Sequence, residues 1–287
     1  MAVTDVVYRD YEGCLDKFCR SFLAAELADL EPPHGTAKLE EFLDAQWGSR
    51  APRTLNKNLS ILRDFFKWAV VRGELNGDPT LAIERARQRQ PHRETFSEDV
   101  RRRLLAENED LRDRVALRLL LDYGLRKGSL RRVQFKHFDH NRLRLTIFAK
   151  GGKVREVPLP HQPFWHDLER LILDIEAKES DYLLCRQRRN ANWTQRIPDE
   201  PMGDHGLHNW WYERLANAGI VPEGTTRGER MHKARHTAGQ RVLDHTGNLK
   251  AVQKLLGHAS IQTTGDVYAD WDIDQLAATL ADVLEDE

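Results

Sequence analysis

The sequence predicts a mainly helical protein with a small β-hairpin, an α+β fold divided into two domains. Apolar residues recur every three or four positions through most of the chain, the period of a helix with one buried face. Residues 143–158 instead alternate around the pair Gly151-Gly152, as an antiparallel hairpin does. An arginine-rich segment, 84–94, has no apolar stripe, and 287 residues are enough for a separate core on each side of it.

The N-terminal part, residues 1–84, is predicted to be a small helical bundle. Helices are expected from Asp5 to Leu30, ending before Pro32-Pro33, and from Lys38 to Trp47. Thr54 is the expected cap of a third, longer helix. The apolar stripe of that helix comprises Leu55, Leu59, Leu62, Phe66 and Val70. The break at residues 77–79 should start a short terminal helix.

Basic residues in this part and in the segment that follows leave two interpretations open. Arg53 and Lys57 lie on the polar face of the third helix, which is either an ordinary solvated face or a surface for a polyanion. Arg85, Arg87 and Arg89 suit either a phosphate backbone or a linker that must stay soluble. Segment 85–95 is therefore predicted to be a basic interdomain linker.

The C-terminal part, residues 96–287, begins with two helices and the hairpin. Ser97 is the expected cap of the first helix. The second runs from Leu111 and breaks at Gly124, so Arg126 should follow directly on a buried, rigid helix. The hairpin then carries Lys150 at its tip.

Further helices are expected over residues 166–178 and around Trp210-Trp211, and we interpret these two tryptophans as core residues. The stretch 186–201 has few periodic apolar residues and is predicted to be an exposed loop.

Composition indicates a globular protein of the cytoplasm. Apolar residues make up 40% of the chain and charged residues 31%, and no apolar run is long enough to cross a bilayer. We see no signal peptide at the N-terminus and expect no membrane association. Cys14, Cys19 and Cys185 have no metal-ligand spacing, which favours reduced thiols. Because the net charge is −1, any surface for nucleic acid must be a local basic face.

Four polar residues between positions 231 and 270 point to a site for an oxyanion. His232 and Arg235 lie one helical turn apart, so they face the same way on a helix. His258 and Tyr268 follow in the run KLLGHASIQTTGDVYAD. Two histidines, an arginine and a tyrosine, with no cysteine or carboxylate cluster, suit a phosphate rather than a metal. We therefore expect no metal ligands and no cofactor.

Five motifs together resemble the catalytic domain of the tyrosine recombinases, the family of phage integrases and Xer-type enzymes. They are YGLRKGSL around Arg126, FAKGGKVREVPLP around Lys150, HKARHT, KLLGHASIQTT and DVYAD. They occur in the family's order and at spacings that suit its pattern. The stretch TLNKNLSILRDFFKWAVVRGELNGDPT resembles the family's core-binding domain. The resemblance thus implies a helical (SAM-like) core-binding domain over 1–84 and a catalytic domain over 96–287.

The resemblance implies a role for each residue of the constellation. Tyr268 would attack a DNA phosphodiester to form a covalent 3′-phosphotyrosine and release a 5′ hydroxyl, so that religation needs no ATP. Arg126 and Arg235 would hold the phosphate, because a guanidinium stays charged and binds its oxygens in a fork. Lys150 would be the general acid and His232 the proton acceptor, while His258 would hydrogen-bond the phosphate. Lys153 competes with Lys150, since both flank the glycine turn.

The implied function is site-specific recombination of double-stranded DNA, with the two domains clamping opposite faces of the duplex. The apolar tail residues Leu276, Leu280, Val283 and Leu284 predict a C-terminal helix. In the family such a helix often docks on a neighbouring protomer of a tetramer on two DNA sites; packing on its own domain is the alternative.

Two other functions stay open: DNA relaxation of the type IB topoisomerase kind, and a DNA-binding protein with degraded catalysis. The second rests on Ser129, which stands where the family usually has a carboxylate, so that another acid would have to support Arg126. His236 and His245 we interpret as structural.

Overall fold

The computed structural model describes residues 5–23, 26–87, 94–148, 154–189 and 194–257. The chain divides into two compact units, Met1–Gln90 and Pro91–Glu287. The division falls inside the segment that the sequence analysis treats as a linker. Each unit has its own apolar core, and each is described by itself.

Unit 1 contains α1 (Asp5–Ser21), α2 (His34–Trp47) and α3 (Pro52–Val71), with a 3₁₀ turn over Leu27–Leu30. Its core is strongly aromatic: the Phe18 ring lies 5.0–5.9 Å, centroid to centroid, from four neighbouring rings. Those rings belong to Phe22, Phe42, Phe65 and Phe66. Aromatic side chains bury a large area each, so this small bundle gains much of its stability from them.

Three predictions about unit 1 were wrong in detail. The first helix ends at Ser21 rather than near Leu30. The third begins at Pro52, two residues before the predicted cap Thr54, because the fixed φ of proline suits the first turn of a helix and its missing N–H costs nothing there. The expected terminal helix is instead a set of turns, in which Asp78 accepts from the backbone and hydroxyl of Thr80.

Unit 2 is built around a helix that is buried on nearly all sides. Its helices are α4 (Glu98–Ala106), α5 (Leu111–Leu121), α6 (Lys127–Leu130), α7 (Gln162–Asp174), α8 (Asp204–Asn217), α9 (Met231–Thr246) and α10 (Leu249–Leu256). α5 is the central one and packs against α7 and α9. Ser97 caps α4 by accepting from the Val100 N–H, as predicted. Trp210 and Trp211 are buried in the core, again as predicted.

The predicted hairpin is part of a three-stranded antiparallel sheet, β1 (Phe138–Asp139), β2 (Arg144–Phe148) and β3 (Val154–Pro158), in the order β1-β2-β3. Leu145 pairs with Val157, and both are buried against the core of unit 2. The predicted tip, with Lys150 and Lys153, lies outside the described residues. The mainly helical α+β class predicted from the sequence is confirmed.

The predicted exposed loop over residues 186–201 was wrong, because two strands occupy this stretch. β4 (Cys185–Arg189) pairs antiparallel with β5 (Thr194–Pro201). Their side chains are mostly polar on both faces and largely exposed, so no period-2 apolar pattern marks them.

No helix in the part of the chain that the structure describes is both long and apolar enough to span a membrane.

Candidate active site

The turn after α5 positions Arg126. Gly124 has φ +63°, a conformation that side chains rarely adopt, and a Cβ there would lie 2.6 Å from the Leu256 Cδ2 atom. Glycine at this position therefore allows the turn to lie directly against α9 and α10. Arg126 follows as the residue that precedes α6, and its side chain is exposed to solvent.

α9 positions Arg235, whose side chain is only 1% exposed. Small residues, Ala234 and Ala238, lie on the buried side of this helix and leave room for the guanidinium. Thr237 lies on the same side and accepts a hydrogen bond of 2.9 Å from the Phe96 N–H. The Arg235 guanidinium donates to the backbone carbonyls of Gly124 and Leu256. Arg235 thus links the turn after α5 to the end of α10.

The C-terminal end of α10 is the acceptor for more than one arginine. Among the described residues, three arginines donate to the four successive carbonyls of residues 254–257, which we call the carbonyl end of α10. Arg155 of β3 donates through Nη1 to Lys254 (3.0 Å) and Leu255 (2.8 Å). Arg235 donates to Leu256, and Arg126 Nη2 donates to Gly257 at 3.4 Å. The last carbonyls of a helix have no partner within it and carry its negative dipole end, so they suit cations.

This cluster is strongly electropositive. Burial, and secondarily the nearby charge of Arg126, lowers the pKa of Arg155 to about 10. Burial also lowers the pKa of Arg126. No carboxylate in the described parts of the chain forms an ion pair with either guanidinium. Two such neighbours, whose partners among the described residues are backbone carbonyls, form a surface to which an anion is attracted.

Ser129 is buried in α6, and no acid in the described ranges takes the place of the missing carboxylate beside Arg126. Asp204 is an acid that contacts α6, but it pairs with Lys127 at 3.1 Å and Arg131 at 3.2 Å rather than with Arg126. The hydrogen bond from Lys127 is the main reason that the pKa of Asp204 is lowered. Arg126 is instead supported by a backbone carbonyl, that of Gly257.

His232 lies one turn before Arg235 on α9, as predicted. Its ring makes an edge contact with that of His236, with centroids 4.5 Å apart. His236 is buried, in line with its interpretation as a structural residue, whereas His245 is exposed near the end of α9. On its other side His232 lines a cavity of about 230 Å³ together with Lys127 and Arg230. The cavity is also lined by apolar and aromatic side chains, among them Leu125 and Trp211, so two basic side chains share it with the imidazole.

Three of the six expected catalytic residues lie outside the described residues: Lys150, His258 and Tyr268. The structure nevertheless describes the backbone that leads to two of them. β2 and β3 flank the segment with Lys150, and Gly257, the cap of α10, directly precedes His258. The structure thus brings together Arg126, Arg235 and the residue before His258, with His232 on the same helix as Arg235.

Arg155 was missed by the sequence analysis. A signal was present, since it follows the glycine turn in FAKGGKVREVPLP. Its position in a short strand gave no reason to expect that it reaches the end of a helix about 100 residues later in the chain.

The expected DNA-binding residues of unit 1 lie along α3 and the segment after it. Arg53 and Lys57 are exposed and one turn apart, and Lys57 also pairs with Asp10 at 2.5 Å. Arg85 donates to Ser60 Oγ at 3.1 Å, a turn further along the same face of α3. Asn56 fixes this segment by exchanging two hydrogen bonds of 2.9 Å with the backbone of Ala86.

Two more residues, Arg87 and Arg89, belong to the expected DNA-binding set. Arg87 is exposed, and Arg89 lies outside the described residues. In the described ranges no group of three or more His, Cys, Asp or Glu side chains is arranged to hold a metal ion.

Comparison with known proteins agrees with this geometry. Residues 94–274, more than half of the 287, match the model of the phage integrase family. The tyrosine recombinase XerC of Salmonella typhi is 28% identical over 236 residues, which cover 79% of this chain and 72% of XerC.

Two solved structures show the same fold. The XerH site-specific recombinase in a post-cleavage complex with its palindromic difH substrate has a TM-score of 0.73 at 18% identity, covering 97% of this chain and 80% of XerH. A lambda integrase tetramer bound to a Holliday junction has a TM-score of 0.67 at 17% identity, covering 94% of this chain and 74% of the integrase. The chain therefore belongs to the phage integrase family and is a site-specific DNA recombinase, a tyrosine recombinase of the Xer type.

Proposed function

We propose that this chain cleaves and rejoins DNA through a covalent 3′-phosphotyrosine formed by Tyr268. The observation that carries the proposal is the convergence of Arg126 and Arg235 on the carbonyls of Leu256 and Gly257, directly before His258. Guanidinium groups from two distant parts of the chain, held at one helix end by backbone carbonyls, suit a phosphodiester.

The chemistry proceeds by exchange of one phosphate ester for another. The Tyr268 hydroxyl oxygen attacks phosphorus, the bond from phosphorus to the 5′ oxygen breaks, and a 3′-phosphotyrosine remains. Charge accumulates on the non-bridging oxygens as this occurs. Arg126 and Arg235 offset that charge, and because backbone carbonyls hold them in advance, little reorganisation is needed during the reaction.

Two proton transfers accompany this exchange. Lys150 gives its proton to the departing 5′ oxygen, and His232 accepts the proton of Tyr268. Lys127 and Arg230, which line the same cavity as His232, support its placement near the backbone of an anionic substrate. His258 donates a hydrogen bond to the phosphate. Attack by a 5′ hydroxyl reverses every step, so strand exchange consumes no ATP.

Double-stranded DNA is the proposed substrate, and the basic face of α3 its proposed contact in unit 1. XerH is bound to its difH substrate and lambda integrase to a Holliday junction in the structures compared above, which supports this partner. Arg53, Lys57, Arg85 and Arg87 form the described part of the face, and Arg89 is proposed to extend it.

Salt dependence of DNA binding tests this face. Arg53→Ala should lower the slope of log affinity against log salt by about 0.9, the contribution of one phosphate contact. Arg72→Ala, at the far end of α3, is the matched control and should leave the slope unchanged. Equal slopes for all three proteins would contradict a DNA contact at Arg53.

We further propose that the active assembly is a tetramer on two DNA sites, joined through residues 275–287, in the cytoplasm. The lambda integrase tetramer supports the assembly. Removing residues 275–287 should reduce recombination between two sites far more than binding to a single site. Equal loss of both would favour a tail that packs on its own domain.

Trapping on a nicked suicide substrate tests the nucleophile. The wild type should form a covalent adduct that leaves a free 5′ hydroxyl, and Tyr268→Phe should bind the DNA without forming it. Tyr8→Phe, which alters an exposed tyrosine of unit 1, is the control and should form the adduct normally. An undiminished adduct in Tyr268→Phe would refute the role. Relaxation of supercoiled DNA without a defined site would indicate a topoisomerase-like activity instead.

A further inference from the structure

We infer that Arg155 is a positioning residue for strand cleavage: it holds the carbonyl end of α10, on which Arg126 and Arg235 depend. The inference rests on the proposed function, because it concerns how the two phosphate-binding arginines are kept in place. Arg155 touches neither the reacting phosphate nor the nucleophile in this account.

The contacts of Arg155 make it the link between the hairpin and α10. One nitrogen, Nη1, donates to two successive carbonyls, those of Lys254 and Leu255. The guanidinium also covers Gly257 so closely that a Cβ there would lie 2.8 Å from Nη1 and 3.0 Å from Cζ. Arg155 thus fixes the backbone from Lys254 to Gly257, the stretch that leads into His258.

The order of the acceptor carbonyls along α10 explains why the contacts of Arg155 affect Arg126 and Arg235. The carbonyls held by Arg155 come directly before that of Leu256, which accepts from Arg235, and that of Gly257, which accepts from Arg126. If the last turn of α10 unwound, both acceptors would move. The same bonds tie β3, and with it the hairpin that carries Lys150, to the helix end. Arg155 therefore links β3 to a helix end that Arg126 and Arg235 also contact.

The electrostatics of Arg155 indicate more than the support of a helix end. Its Nε and Nη2 atoms are buried and have no hydrogen-bond partner within the described residues. The positive charge of Arg126 also acts on it and contributes to lowering the pKa of Arg155. Burying a charge with unmet donors beside a like charge costs stability. An anionic substrate bound at Arg126 would offset the repulsion between the two guanidinium groups, so the arrangement suits a site that is completed by its substrate.

Single-turnover cleavage and DNA binding, measured on the full chain, test the role. Arg155→Gln should reduce the rate of adduct formation on the suicide substrate by about 10- to 100-fold, which is the loss expected when electrostatic groups are no longer held in place. The dissociation constant for the same DNA should change by less than about 3-fold, since one group among many contacts is altered. Arg144→Gln is the matched control: it removes an arginine of the paired strand β2 that contacts Glu156 in solvent.

A double variant separates positioning from a general structural role. Because Arg155 acts in part through Arg126, adding Arg155→Gln to Arg126→Lys should slow cleavage by a smaller factor than Arg155→Gln slows the wild type. Independent roles would multiply the two defects. Arg155→Lys keeps the charge but cannot spread over Gly257 and two carbonyls, so it provides a second test if Arg155→Gln does not fold.

The outcomes distinguish this inference from the proposed function. If wild type forms the adduct through Tyr268 and Arg155→Gln cleaves at the wild-type rate, the role of Arg155 is refuted alone. Equal loss of cleavage and binding in Arg155→Gln, or multiplicative defects in the double variant, would also refute positioning. An adduct that persists in Tyr268→Phe would overturn the proposed function itself.

Discussion

Replacing Gly257 by alanine perturbs the carbonyl end of α10 at its contact with Arg155. Gly257 has φ +61°, so any side chain there is strained. In addition, the new Cβ would lie 2.8 Å from Arg155 Nη1, and the guanidinium must move. Gly247, which caps α9, is the matched control, because its φ is +60° and a Cβ there would meet nothing within 4 Å. The two variants therefore share the backbone strain and differ in the contact with Arg155.

The expected loss of stability follows from the backbone strain and from the contact with Arg155. Placing alanine in the left-handed conformation costs about 1 kcal/mol, and this is the whole effect expected for Gly247→Ala. Gly257→Ala should cost about 1.5–3 kcal/mol more, the contribution of one hydrogen bond from a charged donor. We count one of the two bonds because the end of an arginine side chain is flexible and can keep the other.

Hydrogen exchange of the full chain, measured by mass spectrometry, reports the loss of local stability at each helix end. In Gly247→Ala, amides of the last turn of α9 should exchange about 5-fold faster, the equivalent of 1 kcal/mol. In Gly257→Ala, amides of the last turn of α10 should exchange about 70-fold faster or more, corresponding to at least about 2.5 kcal/mol. When Arg155 is also changed to Gln, Gly257→Ala should accelerate exchange in α10 no more than Gly247→Ala accelerates it in α9. Equal acceleration in the two glycine variants would refute the importance of the Arg155 contact.

Three further predictions test other parts of the structure. Arg235→Lys leaves a buried ammonium that cannot reach the carbonyls of both Gly124 and Leu256. Adduct formation should therefore fall by about 100-fold or more while DNA binding persists. Unchanged cleavage would contradict the proposed role of Arg235. Gly124→Ala should destabilise the chain to urea by about 2 kcal/mol more than Gly219→Ala, because both have φ +63° but only Gly124 would clash with Leu256. Burial raises the pKa of the Cys14 thiol from 9.0 to about 11, so the thiol contributes stability that is intact below pH 9 and declines as pH rises toward 11. A thiol reagent at pH 8 should therefore label the exposed Cys19 and spare Cys14, and rapid labelling of both would show that Cys14 is not buried.

Local signals in the sequence predicted much of this fold. Ser97 was identified as a cap because its side chain and the acids after it are adjacent in sequence, and the hairpin because its alternation and glycine pair are local. Arg235 was placed one turn after His232 by helical period alone. Such features depend on residues within a few positions of each other, which is the range over which sequence patterns carry information.

The remaining features depend on tertiary packing, which those patterns do not encode. Gly124 is recognisable as a helix break, but the need for glycine there comes from Leu256, a residue of a distant helix. The support of Arg126 by the Gly257 carbonyl could not be predicted, because Ser129 in place of a carboxylate points to another acid as the substitute. A backbone carbonyl leaves no trace in the sequence, and Arg155 escaped notice for the same reason.

The most direct test of the account is to locate the covalent bond to DNA. After Lys254 the sequence contains no further lysine or arginine, so trypsin releases residues 255–287 as one peptide with a single tyrosine, Tyr268. Wild-type protein trapped on the suicide substrate should yield this peptide carrying a 3′-linked nucleotide on Tyr268, identified by mass spectrometry. Linkage of the DNA to any other residue, or through a 5′ phosphate, would contradict cleavage by Tyr268 through a 3′-phosphotyrosine.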